Sequence, residues 1–259
     1  MISAGLLLFA AWAGATSVLP MTTESAEASK KGDLTLETYL DAEQTPHVRY
    51  HSPEGMLITG PVLGIRYGLA ETVEFKLSGP VQVWAYPDAG GDRSEIGDFT
   101  IWTKWAAAKD RENRPAMSLR WGVKMPNASD QSDLGTDEVD FHFQGLGTKT
   151  LGRWRLDGNL GLGILGDPTQ YSLQNDVLTF GVAAALRLSP DWQVMNELQG
   201  ATGKGYLPGY TMMRWGAAWE PGAGPWRYFG AVTRGATARS PDWGIRLGLT
   251  RTLSFGRAD

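Results

Sequence analysis

The stretch DGNLGLGILGDP, residues 157–168, carries two patterns at once. Gly161, Gly163 and Gly166 have the G-x-G-x-x-G spacing of a loop that cradles a dinucleotide pyrophosphate. Such a loop follows a strand and opens a helix whose N-terminus meets the phosphates. Here Gly161 and Gly163 lie inside an alternation, Gly166-Asp167-Pro168 ends it with a turn, and no helical period follows. Trp154, Leu156, Gly158, Leu160, Leu162 and Ile164 fall on one face, and Arg153, Arg155, Asp157, Asn159, Gly161 and Gly163 on the other. Successive side chains of a strand point to opposite sides. The stretch is therefore a strand with one apolar face and one charged or small face. The phosphate reading is dropped, and no cofactor is expected.

Period two recurs along the chain, and no convincing 3.6-residue period competes with it. Met117, Leu119, Trp121, Val123 and Met125 oppose Ser118, Arg120, Gly122 and Lys124. Leu178, Phe180, Val182, Ala184, Leu186 and Leu188 oppose Thr179, Gly181, Ala183, Ala185 and Arg187. Trp243, Ile245, Leu247 and Leu249 oppose Arg246, Gly248 and Thr250, and Val73, Phe75 and Leu77 oppose Glu74 and Lys76. Weaker segments lie at 34–41, 63–70, 99–107, 139–144, 192–201, 211–219 and 226–233. The total is about twelve strands, many of the ~9–11 residues that a tilted membrane strand needs.

The connections alternate in length. Long ones fall at 43–55, 87–97, 127–136, 165–176, 203–210 and 235–242. Short ones fall near 71, and at 109–115, 151–152, 189–191 and 221–225. Long loops on one side and tight turns on the other are the habit of outer-membrane barrels. The polar faces point the same way. Glu37, Asp41, Glu74, Asp140, Asp157 and Glu197 share them with Arg66, Lys76, Lys104, Arg120, Lys124, Arg155, Arg187, Arg214 and Arg246. A small soluble barrel has an apolar interior that would not hold such charge. A membrane barrel inverts the sign, apolar outside and polar within. Trp154, Trp192, Trp226 and Trp219 sit beside short turns, where an interfacial aromatic girdle belongs. A soluble sandwich with one solvated face is the competing architecture.

Composition agrees. The chain has 259 residues, 33 Gly, 11 Trp, no Cys and a net charge of −4. The absence of Cys excludes disulfides, thiolate metal sites and Cys nucleophiles. Such a small charge, with no Lys/Arg-rich run, argues against nucleic acid as a partner. The run GLLLFAAWAGA, residues 5–15, is too short to span a bilayer and fits a signal-peptide core. Two small-x-small sites follow, Ala13-Gly14-Ala15 and Ala26-Glu27-Ala28. The expected division is a signal peptide over 1–28, cleaved after Ala28, and a barrel over 29–259. No Lys or Arg precedes the apolar run, which departs from the signal pattern.

Candidate chemistry is sparse. His47 and His51 are four residues apart but sit in an expected outer loop without a third ligand, so no metal site is expected. Asp140 and His142 share the polar face of one strand. Such a pair suits a general base in an outer-membrane hydrolase, or simply a hydrogen-bonded pair in the lumen. No nucleophile-elbow, phosphate-loop or zincin motif is present.

Residues 97–168 resemble the outer-membrane barrel family named for a MetA pathway of phenol degradation. The resemblance rests on Gly97-Asp98 opening a strand that ends at Lys104-Trp105, and on Lys124-Met125-Pro126 before a loop. Leu134-Gly135-Thr136 then leads to Asp140-Phe141, and the strand 156–165 closes on Gly166-Asp167-Pro168. Asn127-Ala128-Ser129 departs from the family's Thr-Gly or Ser-Gly turn, and four residues follow Phe255 where many such barrels end. The resemblance implies an outer-membrane conduit for aromatic or other hydrophobic compounds and supplies no catalytic residues.

The expectation is a single antiparallel barrel of about twelve strands in the bacterial outer membrane. It is not an enzyme; it passes small solutes passively, with the bilayer and the solute as partners. Arg120, Lys124, Arg155, Asp157, Arg187 and Arg246 are the expected solute-path residues. The alternatives are the Asp140/His142 hydrolase and a plugged structural or adhesive barrel.

Overall fold

The computed structural model describes residues 18–45, 54–167, 174–203 and 209–255. Its strands are β1 (Asp33–Thr45), β2 (Gly55–Ala70), β3 (Val73–Pro80), β4 (Val83–Pro87), β5 (Arg93–Glu95), β6 (Phe99–Ala108) and β7 (Ala116–Met125). They continue as β8 (Asp140–Leu151), β9 (Trp154–Gly166), β10 (Gln174–Arg187), β11 (Trp192–Ala201), β12 (Tyr210–Trp219), β13 (Trp226–Gly235) and β14 (Trp243–Ser254). Every pairing is antiparallel, and β1 pairs with both β2 and β14, so the sheet closes on itself. Leaving out β4 and β5, which extend the sheet beyond β2, the ring has twelve strands. Closure removes the sheet edges and pairs the backbone groups that hydrocarbon cannot solvate.

The opening stretch is β9. Asn159 lies opposite Gly181 and Leu146, and Leu160 opposite Phe180 and Gly145. Leu160 and Leu162 are more than half exposed, whereas Arg155 and Asp157 are buried. The same inversion holds around the ring: Leu36, Leu69, Leu119, Val182, Val232 and Leu247 face outward, and Glu37, Arg66, Lys104, Glu197 and Arg214 are buried within. At the short-turn end, Trp192 stacks on Trp219 at 6.1 Å and Trp219 meets Tyr228 at 5.6 Å. Arg251 lies 4.9 Å over the Trp226 ring. These rings sit where an interfacial girdle is expected.

The reading of 87–97 as plain loop needs correction. β4 and β5 form a hairpin there, β4 pairing with the outer end of β2 at 55–59. Pro80 ends the β2–β3 pairing, and proline cannot donate to a ladder. The five residues of β4 are too few to reveal a period between Pro80 and Pro87. Val83 and Ala85 pack with Leu134 and Leu57, so the hairpin and the 126–139 loop cap the outer end together. Arg93 pairs with Asp133 at 3.2 Å in the same cap. His47 and His51 lie outside the described residues.

Leu160→Arg puts a cation on the lipid face near the middle of β9. It is expected to lower folding stability by about 2–4 kcal/mol, measured as a shift in the urea midpoint of folding into lipid vesicles.

Candidate functional site

Inside the ring runs the chain's own N-terminal segment, residues 18–31. The chain turns at the rim, where Gly32 N–H donates to Gly68 O at 2.9 Å and Phe255 N–H to Gly32 O at 2.9 Å. From there the segment enters from the short-turn side. Leu19, Met21 and Ala26 are buried, as are the polar Thr23, Glu24, Ser25 and Ser29. The described part of the expected signal peptide is thus packed against the strands that the peptide was to leave behind.

A lone segment crossing a lumen has no ladder partner, so side chains must take up its backbone groups. Asn159 brackets Glu24: with its amide nitrogen toward the Glu24 carbonyl the distance is 2.8 Å, and its oxygen then lies 2.7 Å from the Glu24 N–H. Glu197 accepts from the N–H groups of Thr22, at 2.9 Å, and of Thr23. Thr148 Oγ1 accepts from Ala26 N at 2.8 Å, and Glu74 accepts from Ser29 N at 2.8 Å. The carbonyls are met by cations. Arg227 donates to Leu19 O at 2.9 Å, Arg246 to Pro20 O at 3.0 Å and Lys104 to Glu27 O at 3.1 Å. Small residues make room. A Cβ on Gly68 would collide with the Lys30 carbonyl, one on Gly181 with the Thr23 hydroxyl, and one on Gly216 with Pro20.

The segment's two acids meet the lumen's cations. Glu24 faces Arg66 at 3.1 Å, Lys76 at 3.1 Å and Arg120 at 3.3 Å. Glu27 faces Arg155 at 3.1 Å. The strands add their own pairs. Arg66 also reaches Glu74 at 2.8 Å and Glu37 at 3.2 Å, and Lys104 reaches Glu74 at 2.9 Å. Arg214 pairs with Glu197 at 2.9 Å, Arg155 with Asp157 at 3.1 Å and Arg246 with Asp41 at 2.7 Å. Removing one member of a buried set strands the others without compensation and costs far more than the intact set contributes.

The expected solute-path residues are accordingly engaged, four of them with the segment or its partners. Arg120 lies 4.1 Å over the Trp102 ring, donates to Gln144 and faces Glu24. Arg155 and Asp157 hold Ser25, Glu27 and Thr148. Arg246 joins Asp41 to Pro20 and lies 4.5 Å over Tyr39. Arg187 lies apart, half-buried at the short-turn end of β10, opposite Gln193. Lys124 is at the opposite, outer end, where it bonds Asp140 at 2.8 Å, Thr136 at 2.7 Å and Asp98 at 3.3 Å. There Asp98 also accepts from Asn127 and Ala128 N, and Asp140 from Gly166 N. Asp98, Lys124, Thr136, Asp140 and Gly166 all belong to the turn signatures quoted above, and they converge on one clasp. Asp140 is thereby committed to Lys124 and Gly166. His142 instead stacks on Trp102 at 5.4 Å.

Arg227 and Glu24, and the lumenal roles of Asn159 and Glu27, escaped the reading of the sequence. One signal for the acids was available. The lumen faces carry nine basic and six acidic side chains in the residues named from the alternation, a surplus that calls for carboxylates from elsewhere.

A closed ring, apolar outside, with a charged lumen crossed by its own N-terminal segment, defines an outer-membrane β-barrel. The chain belongs to the family described as Putative MetA-pathway of phenol degradation, whose model matches residues 20–210. That match takes in most of the lumenal segment. Among solved structures the chain is similar to the COG4313 outer membrane channel from Pseudomonas putida F1, at 17% identity over 88% of this chain and 98% of that one, with a TM-score of 0.68. It is also similar to the NanC porin, at 6% identity over 85% and 100%, TM-score 0.57. The KdgM porin, solved in complex with disordered oligogalacturonate, follows at 10% over 86% and 99%, TM-score 0.55. No curated protein sequence matches the chain.

Two substitutions test this packing. Gly68→Val is expected to push the segment from the lumen while the barrel still forms, seen as faster proteolysis of residues 18–31 beside an unchanged heat-modifiable band. Arg66→Ala, which leaves Glu24, Glu37 and Glu74 short of a cation, is expected to cost about 3–5 kcal/mol in urea unfolding.

Proposed function

We propose that this barrel is a passive conduit for small solutes across the outer membrane, with residues 18–31 as its internal restriction, and that it is not an enzyme. The observation that carries the reading is the way the lumen is filled. Among the described residues one N-terminal segment crosses it, held to the wall by hydrogen bonds, ion pairs and small packed clusters, and leading into β1. Polar contacts of that kind exchange with water or with a polar solute more readily than a continuous apolar core would. Residues Arg120, Arg155, Asp157 and Arg246 would then line the path once the segment shifts, with Lys124 at the outer mouth and Arg187 at the inner one. The family's description names phenol degradation, which favours small aromatic solutes.

The segment also gives substance to a second reading, a permanently plugged structural barrel. Planar-bilayer recording separates the two. Refolded wild-type protein is expected to pass small currents that rise several-fold in Gly68→Val; a silent bilayer with both proteins sinks the conduit. For the hydrolase alternative, His142→Ala should leave esterase and protease panels unchanged.

The position of the segment moves the proposed signal cleavage upstream. Cleavage after Ala28 would discard Glu24 and Glu27, whereas Ala13-Gly14-Ala15 offers a site that keeps both. N-terminal sequencing of protein purified from outer membranes should therefore begin before Val18.

A further inference from the structure

A basic part of the lumen is already occupied by a carboxylate from the chain itself. Glu24 takes both terminal nitrogens of Arg66, at 3.1 and 3.2 Å, together with Lys76 at 3.1 Å and Arg120 at 3.3 Å. Lys104 stands behind them, 3.9 Å away. Two wall carboxylates, Glu37 and Glu74, share these four cations. The wall alone is thus two positive charges in excess, and one remains even with Glu24 in place.

The paired Arg66 nitrogens, flanked by Lys76 and Arg120, give a forked seat that suits the two oxygens of a carboxylate. The seat comes with space. A cavity of about 160 Å³ opens beside Glu24, and its lining mixes Arg66, Lys76, Arg120, Arg246 and Glu37 with Val62, Tyr39 and Trp102. That volume exceeds several waters. A charged seat whose cavity also carries two aromatic rings and Val62 matches an anion with an apolar body better than it matches an inorganic ion.

We propose that this cage is a binding site for a small solute carboxylate with an apolar body, and that Glu24 fills its seat in cis until the solute displaces it. The segment is then a tethered competitor for the site as well as a restriction. A solute entering the seat takes over the charge compensation that Glu24 provides and frees the segment from its strongest set of ion pairs. The word solute rests on the conduit reading given above; the binding does not.

Benzoate is a suitable probe, and benzamide its neutral counterpart of nearly the same shape. In calorimetric titration of the refolded full-length mature chain, Glu24→Gln is expected to bind benzoate about tenfold or more tightly than wild type, because the tethered competitor is gone. Benzamide should bind both proteins equally weakly. Should Glu24→Gln fail to fold, wild-type protein supplies the second measurement: benzoate, and not benzamide, should speed cleavage of residues 18–31 by glutamyl endopeptidase. Equal behaviour of benzoate and benzamide in whichever measurement is made overturns the proposal. Benzoate binding without any bilayer current would sink the conduit and leave the site standing. Current with no preference for benzoate would do the reverse.

Discussion

The hydrogen-bonded seam between β1 and β14 is the constraint on which the rest of this molecule depends. It runs without a break from Asp33 opposite Ser254 to Gln44 opposite Trp243. An open sheet would leave two rows of backbone groups in hydrocarbon, each costing several kcal/mol. Once the ring closes, every strand has an inside and an outside. The period-two pattern then sorts Leu, Val, Ile and Trp to lipid and Arg, Lys, Asp and Glu to the interior. The polarity of the fold, its aromatic girdle and its charged lumen all follow from that closure.

Closure also creates the difficulty that the segment 18–31 resolves. Strand side chains such as Arg66, Lys104 and Arg155 are fully buried in the lumen. Buried charge must be paired and hydrogen-bonded to be tolerable. The strands do not carry enough acids for this, and Glu24 and Glu27 make up part of the shortfall. The exchange is mutual, because Asn159, Glu197 and Thr148 satisfy the segment's backbone. Neither the lumen wall nor the segment is electrostatically complete without the other.

Much of the barrel was legible in the sequence, because one face of every strand meets lipid and the alternation stays strict. All twelve ring strands, and the placement of the connections apart from 87–97, could be read that way. β4 and β5 could not: they lie beyond the lipid, pair over few residues and follow a proline, so no period accumulates. The lumen charges were legible as a set, but their partners were not. Residues 18–31 have neither a strand nor a helix period, and their small and polar composition matches the end of a signal peptide. Only the excess of lumen cations over acids hinted at them. The Lys124 clasp shows the same limit, since its residues were quoted as separate turn signatures and their meeting is a fact of the fold.

The segment's contacts are spread over nearly the whole ring. Glu74 on β3 holds Ser29, Thr148 on β8 holds Ala26, Glu197 on β11 holds Thr22, and Arg246 on β14 holds Pro20. A segment that precedes every strand in the chain is therefore fully satisfied only when β14, the last described strand, is in place. A barrel lacking one of these strands would leave the matching part of the segment without its partner.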